Sequence, residues 1–424
     1  MRDFAVLFFT IGSAFLGFTR PWLGVLALAI LAYLNPHRYT WGFSLTMPAY
    51  LIVFLATIVG TVLHGEERQP FPWTRETKLF IALLAWFTLT TFWSPDFSEA
   101  AHAKWAEVMK IYMGIFPTFL LINSRERLQW LVITIALSFG IVGLKGGIFA
   151  LGTGFQHRVW GPDNTFYGGN NEIALVLSMI LPLLILCAKE VQSKNAKMFF
   201  YAVFVFSIFS VISSWSRGGL LTLCAVLGAL VLTGKRKWMS IPLLLLAVMF
   251  ALPNLPEKWF ERMHSIEAYE EDASVQGRFG AWRYAIDKVV EHPMTGGGFD
   301  TFLENGVDAH SGYFKILGEH GFVGLAIWLS LLFGTIVALE RLRRRSMLFD
   351  TVSWIGDYAR AFQISLLGYA VGGLFLNVAY WDIFYHLIAL SALLKVMLNQ
   401  ALQSEEEGIE DLMAGKVIAR LDQG

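Results

Sequence analysis

Four polar side chains of this 424-residue chain are of the types and in the settings where chemistry can be done: Arg158, Arg217, Arg278 and His310. Arg217 stands in SSWSRGG (213–219), between two apolar runs with almost no connector around it. A cation near hydrocarbon costs up to about 3 kcal/mol on insertion scales, so it calls for an anionic partner or a wet cavity unless it snorkels to the headgroups. Gly218 and Gly219 beside it would admit a bulky substrate or a second helix. Arg278 opens a stretch in which Phe279, Trp282, Ile286 and Val289 recur three and four residues apart. That spacing predicts an amphipathic helix lying on the bundle or on the membrane surface. A guanidinium at such a helix start suits phosphate or pyrophosphate, whereas Arg283, one turn on, fits an ordinary surface arginine. Arg158, in QHRVWGPDNTFYGGNNE (156–172), is a further candidate anion ligand. Asn170, Asn171 and Glu172 precede an apolar run, which is also how an ordinary helix begins.

His310 lies in an Ala-His-Ser tripeptide at the mouth of an apolar run. An imidazole takes a proton from an alcohol near neutral pH, which few other side chains do unperturbed. His264, His292 and His320 lack that context and read as structural. The set therefore holds cations and a base. It contains no cluster of carboxylates, cysteines and histidines with metal-ligand spacing, so no metal and no cofactor are expected. The glycines at 296–298 have no strand–helix context and make no nucleotide fingerprint. Lys145, Asp382 and His386, within apolar runs, are too scattered for a proton relay.

These residues must be positioned by helices in lipid. The chain is 55% hydrophobic and only 16% charged, with mean hydropathy +0.54, where a soluble domain is about a quarter charged. Repeated runs of 15 to 20 apolar residues predict an all-α polytopic membrane protein, not a barrel. Spans are expected near 46–63, 79–93, 107–122, 128–151, 171–188, 198–214, 217–233, 238–252, 313–339, 359–377 and 380–399. Residues 4–34, interrupted at Arg20-Pro21, form either one broken span or a tight pair. Counted as one, they bring the total to about twelve spans. Connectors with Arg75 and Lys78, Arg125 and Arg127, Lys189 to Lys197, Lys235 to Lys237 and Arg341 to Arg345 are expected to face the cytoplasm. The long polar segment then faces the other side. The expected division is N-terminal spans over 1–251, an external segment with the amphipathic helix over 252–312, C-terminal spans over 313–400 and a solvated tail over 401–424. Tryptophans at span ends, Trp22, Trp41, Trp73, Trp93, Trp160, Trp215, Trp238 and Trp259, read as an interfacial belt. Cys187 and Cys224 are expected to be buried thiols. Zero net charge gives no reason to expect nucleic acid.

Three stretches carry a family resemblance: SWSRGG at 214–219, GRFGAWRYAIDKVVEHPMTGGGF at 277–299 and DAHSGYFKILGEHGFVGL at 308–325. In order and spacing they resemble the O-antigen ligase/polymerase family of bacterial membrane glycosyltransferases, and NPHRYTWGF (35–43) is similar to the O-glycosylation ligases that accompany exosortase systems. The resemblance implies a GT-C-like bundle in the inner membrane, its site facing the periplasm. It implies a glycan donor on undecaprenyl pyrophosphate and an acceptor hydroxyl, with lipid A-core the expected acceptor and a growing glycan (polymerase) or a protein Ser/Thr (O-oligosaccharyltransferase) the alternatives. Arg217 and Arg278 match the family's essential arginines and His310 its essential histidine. Trp282 falls at the family's Trp position and Ser311 where many relatives have Asn; with Asn170 they are expected to support the site. The expected transfer is metal-independent and inverting, because no carboxylate is placed to form a covalent intermediate. A lipid-linked glycan transporter is the rival from another class. It would use the arginines equally well but leaves His310 and the long external segment without a task.

Overall fold

The computed structural model describes residues 1–93, 98–234, 249, 255–264, 273–303, 306 and 308–421. Among them the chain is helical and without strands. In chain order the α-helices are α1 (Arg2–Thr19), α2 (Pro21–Tyr33), α3 (Ala49–Leu63), α4 (Arg75–Trp93), α5 (Glu99–Leu121), α6 (Arg125–Gly152) and α7 (Asn170–Glu190). They continue as α8 (Lys194–Ile212), α9 (Arg217–Leu232), α10 (Glu257–His264), α11 (Ala273–Glu291), α12 (Gly312–Ser346), α13 (Ser353–Gly372) and α14 (Asp382–Leu421). Six of them, α1, α6, α7, α8, α12 and α14, are long and apolar enough to cross a membrane. Phe8, Phe15, Leu55, Val62 and Leu221 point outward, an arrangement that water would not tolerate on this scale but lipid does. The chain is a helical membrane protein.

Helix α7 explains the architecture best. It is apolar on nearly every face, and residues Ile173 to Leu184 are all buried, so it needs neighbours all round. Helices α6, α8, α9 and α13 supply them. The polar N-terminus of α7, beginning at Asn170, is thereby delivered to one end of the bundle beside the N-terminus of α9. Serine caps start several of these helices: Ser124 before α6, Ser193 before α8 and Ser216 before α9 each accept a backbone N–H from the first turn.

At residues 4–34 the chain forms the tight pair. Arg20 leaves helical geometry between α1 and α2, and a Cβ on Gly17 would lie 3.4 Å from Cα of Gly24. In a continuous helix those two positions would be about 10 Å apart. Elsewhere the boundaries move. Helix α13 stops at Gly372, short of the expected 377, and α14 runs on as helix to Leu421, through most of the expected tail. Apart from residue 249, the expected span 238–252 lies outside the described residues.

Helix α12 is bent at Gly321, whose backbone (φ 65°, ψ −169°) only glycine adopts readily. The bend exposes carbonyls that a straight helix would satisfy, and three donors take them. Gly297 N donates to Gly318 O (2.8 Å), Gly298 N to Glu319 O (2.9 Å), and Trp86 Nε1 to His320 O (2.9 Å). Phe322 N in turn donates to Pro293 O at 2.9 Å. The glycine turn is thus a docking element for α12. Gly321→Ala would combine a strained φ with a Cβ 2.3 Å from Met294 O. It is expected to cost at least about 1–3 kcal/mol, read as a lower unfolding temperature in detergent.

Candidate active site

Arg217 is the first residue of α9. The turn before it is built from serines: Ser214 Oγ donates to Val211 O, Ser216 N donates to Ser214 Oγ, and Ser216 Oγ caps Gly219 N at 2.9 Å. Trp215 between them takes a left-handed backbone (φ 57°), which reverses the chain and points α9's positive end at the bundle surface. The preceding loop is tied to this turn. Val159 N donates to Ser213 O (2.9 Å), Ser213 Oγ to His157 O (2.8 Å), and Asn170 Nδ2 to Ser214 O (2.9 Å). Asn170 is accordingly a brace between α7 and the Arg217 turn.

Arg217 and Arg278 line one cavity of about 700 Å³, together with Trp215, Trp259, Trp282 and a third arginine, Arg262 of α10. The volume is that of an ordinary small-molecule site. Arg262 was not singled out from the sequence, because EKWFERMH offers no motif beyond an amphipathic turn. Two tryptophans change role. Trp259, expected in an interfacial belt, is 5% exposed and donates to Ile212 O at 3.2 Å, and Trp215 is a cavity wall. Cys224, expected to be buried, is exposed at the cavity because α9 turns that face toward it; Cys187 is buried.

Helix α11 corrects the reading of Arg278. It is already helical at Ala273, since nothing in ASVQ breaks it, so Arg278 lies in the second turn and not at the helix start. Its guanidinium must act by its own charge, without the terminal N–H groups. The face packed on α12 is Ala281, Ala285 and Val289, while Phe279 and Ile286 point outward. Small residues let the two helices approach; the bulky ones are left for lipid or substrate. Trp282 joins the elements: its ring stacks on Phe314 of α12 (centroids 4.7 Å, 9° between planes) and its Nε1 donates to Ala309 O at 3.0 Å.

That last bond fixes the residue next to His310. His310 is exposed and has a left-handed backbone (φ 46°), a conformation that histidine, like asparagine and aspartate, adopts more often than most non-glycine residues. Ser311 Oγ and Gly312 N both donate to Gly373 O, at 3.3 and 2.8 Å, which pins the turn to the end of α13. His310 does not line the arginine cavity. It follows Ala309, whose carbonyl is held by the cavity residue Trp282. The carboxylate of Glu172, which follows the cavity residue Asn171, is within Coulombic reach of His310 and Asp308.

Two carboxylates therefore accompany His310, where the sequence led us to expect none. Asp308 Oδ2 is 3.8 Å from His310 Nδ1, and its other oxygen accepts from Asn377 Nδ2 at 2.9 Å. Glu172 folds back over Gly169, whose Cβ position lies 2.0 Å from Glu172 Oε2. Neither side chain lines the cavity. The sequence gives no sign of Asp308, because its partner Asn377 is 69 residues away.

Arg158 lies elsewhere. Its guanidinium is 5.2 Å from the Trp215 ring centre, and it lines a smaller cavity of about 250 Å³ with Lys145 and Tyr39. Trp215 is thus shared, with Arg217 and Arg278 in the larger space and Arg158 at the smaller one.

Beneath the loop is a buried polar cluster. Lys315 Nζ is 2.8 Å from Glu319 Oε1, which also accepts from Asp300 N at 3.0 Å, and Tyr380 OH donates to Glu319 Oε2. His320 sits between Thr90 Oγ1 (2.7 Å) and Tyr380 OH (2.8 Å). Partial burial pushes the Asp300 carboxyl up from the usual carboxylate range, and the Lys315 ammonium 3.9 Å away pulls it back. With its charges paired inside, this cluster holds the 296–300 turn on α12. Among the described residues no group of three His, Cys, Asp or Glu side chains could hold a metal ion.

Comparison with known proteins finds two matching family models. Residues 202–329 match the family model described as O-antigen ligase, and residues 1–193 match a family of unknown function (DUF5935). No curated protein matches the chain. Arg217, Arg262, Arg278, Trp282, His310, Ser311 and Glu319 fall within the first match, Arg158 and Asn170 within the second. The match at residues 202–329 places that region with the O-antigen ligase family model and supports the O-antigen ligase/polymerase superfamily for this chain.

Proposed function

We propose that the protein transfers a glycan from undecaprenyl pyrophosphate to a hydroxyl of lipid A-core, on the periplasmic face of the bacterial inner membrane. The observation that carries this reading is the convergence of Arg217, Arg278 and Arg262 on one cavity, one wall of which, Trp282, holds the backbone next to His310. Arg217 and Arg278 hold the donor's pyrophosphate and stabilise the negative charge that grows on it as it leaves. His310 takes the proton of the acceptor hydroxyl as that oxygen attacks the anomeric carbon. The bond from the anomeric carbon to the phosphate oxygen breaks, and undecaprenyl pyrophosphate departs with the electron pair. One displacement inverts the anomeric centre. The absence of Asp308 and Glu172 from the lining of the arginine cavity supports this over a covalent carboxylate intermediate. Arg158 serves a second phosphate, of donor or acceptor, across Trp215. The bundle is GT-C-like with about twelve spans, and outward apolar grooves take the polyprenyl and acyl chains.

The test is transfer by purified protein in nanodiscs given undecaprenyl-pyrophosphate glycan and lipid A-core, with and without EDTA. Product of inverted configuration, formed equally in both, is the expected outcome. Lengthening of the donor glycan with lipid A-core untouched would replace the ligase reading with a polymerase. Export of the donor with no new glycosidic bond would make the protein a transporter.

A further inference from the structure

At the far end of α12 from His310, a second cavity of about 520 Å³ opens between α4, α12 and α14. Its walls are apolar, and Phe333 and Val337 at its edge are about half exposed, so it faces the hydrocarbon. Its polar lining is of two kinds. Four cations surround it: Arg75, Arg341, Arg345 and Lys395. Arg75 lies flat across α12, its Nη2 donating to Ser330 O at 3.1 Å, and this is possible only because residue 334 is glycine; a Cβ there would meet Arg75 Nη1 at 2.2 Å. Arg345 reaches Asn399 Oδ1 at 3.5 Å, and among the described residues neither it nor Arg341 has a carboxylate partner. Arg343 and Arg344, by contrast, are both spent on Glu340.

The second kind is acceptors. Glu76 is 3% exposed and lines the same cavity, with Lys395 Nζ 3.6 Å from its Oε2. Neither carboxylate oxygen has a hydrogen-bond partner among the described residues, and the same is true of the buried Thr335 hydroxyl on the opposite wall. Buried polar atoms are seldom left in that condition, because each forfeits its hydration. The cavity thus combines excess positive charge with buried groups that ask for a hydrogen-bond donor, at the mouth of an apolar groove.

We propose that this cavity binds a phospholipid of the adjoining leaflet whose headgroup carries a hydrogen-bond donor. The phosphate sits with Arg341, Arg345 and Arg75. The headgroup's ammonium or hydroxyl meets Glu76 and Thr335, and the acyl chains follow Phe333 and Val337 outward. Phosphatidylethanolamine and phosphatidylglycerol both have this chemistry; phosphatidylcholine has the phosphate but no donor. The site is independent of the transfer reading and stands or falls without it.

The experiment uses the full chain, delipidated in detergent, with each of the three lipids added in turn. Native mass spectrometry reads retained lipid, and thermal unfolding reads the stabilisation that bound ligand confers. Phosphatidylethanolamine or phosphatidylglycerol is expected to be retained severalfold more than phosphatidylcholine and to raise the unfolding temperature by several degrees. Arg341→Ala/Arg345→Ala, at exposed positions that leave the fold intact, is expected to abolish both effects. Glu76→Gln separates the sources. It should erase the preference for an ammonium headgroup, whereas a hydroxyl can still donate to the amide oxygen. Equal retention of phosphatidylcholine by the unaltered protein, or lipid effects that survive in the double variant, would overturn the proposal. So would the absence of any lipid effect.

Discussion

His310→Ala is expected to lower glycan transfer by about 10²–10⁴-fold while leaving donor binding unchanged, the range for losing a positioned general base. The backbone makes the control as informative as the variant. His310 has φ 46°, so a change there tests both a left-handed turn and an imidazole. Asparagine adopts that conformation more readily than most residues yet cannot accept the proton. His310→Asn should therefore keep the turn, the Ser311 and Gly312 bonds to Gly373, and the unfolding temperature, and still lose transfer. Because the side chain is exposed, neither variant removes packing. Asp308 tests charge compensation: its carboxylate is 3.8 Å from Nδ1, close enough to favour the imidazolium that forms when His310 takes the proton. Asp308→Asn should cost less than His310→Ala, since the base survives and only its charge compensation is weakened. Transfer by His310→Asn close to the unaltered rate would remove the base from the mechanism and leave His310 a structural turn residue.

The contrast between His310 and Asp308 illustrates what can be read from the chain. Arg217, Arg278 and His310 announce themselves because each stands where its chemistry is costly or unusual: a cation between apolar runs, a cation on an amphipathic helix, an imidazole at the mouth of a span. The apolar runs also announce the helices that carry them, since lipid leaves the backbone few alternatives. Asp308, Glu172 and Arg262 give no such signal, because acidic and basic residues in polar loops are usually solvated. What Asp308 does depends on Asn377, far away in sequence, and Arg262 and Glu172 are brought near the other groups only by the fold. Arg278 lies deeper in its helix than the apolar pattern predicts, for a local reason. The apolar pattern begins at Phe279, but Ala273–Gln276, having no apolar stripe of their own, still continue the helix. The Gly296–Gly298 turn shows the same dependence on tertiary context. Its task is defined by the bend at Gly321, and that bend is visible only when the two segments are side by side.

Arg217→Ala and Arg278→Ala are each expected to reduce kcat/KM by about 10²–10³, as removing one preorganised donor to a developing anion does elsewhere. The double variant should fall well short of the product of the two losses. Both side chains face the same cavity, and groups that grip one pyrophosphate act as a unit. Lysine is not expected to rescue either position. It supplies the charge but not the planar fork that engages two phosphate oxygens at once. Arg217 has a further disadvantage when shortened, because its backbone is fixed by the Ser214–Ser216 turn and cannot advance toward the substrate. Arg158→Ala should behave differently. Across the Trp215 ring from the cavity, it can affect a neighbouring phosphate but not the one that leaves, so its loss should appear in KM more than in kcat. A loss in kcat for Arg158→Ala equal to that of Arg217→Ala would move the leaving pyrophosphate to the smaller cavity. Loss of activity in all three with undiminished binding of a non-transferable donor analogue would show that the arginines act on the transition state alone.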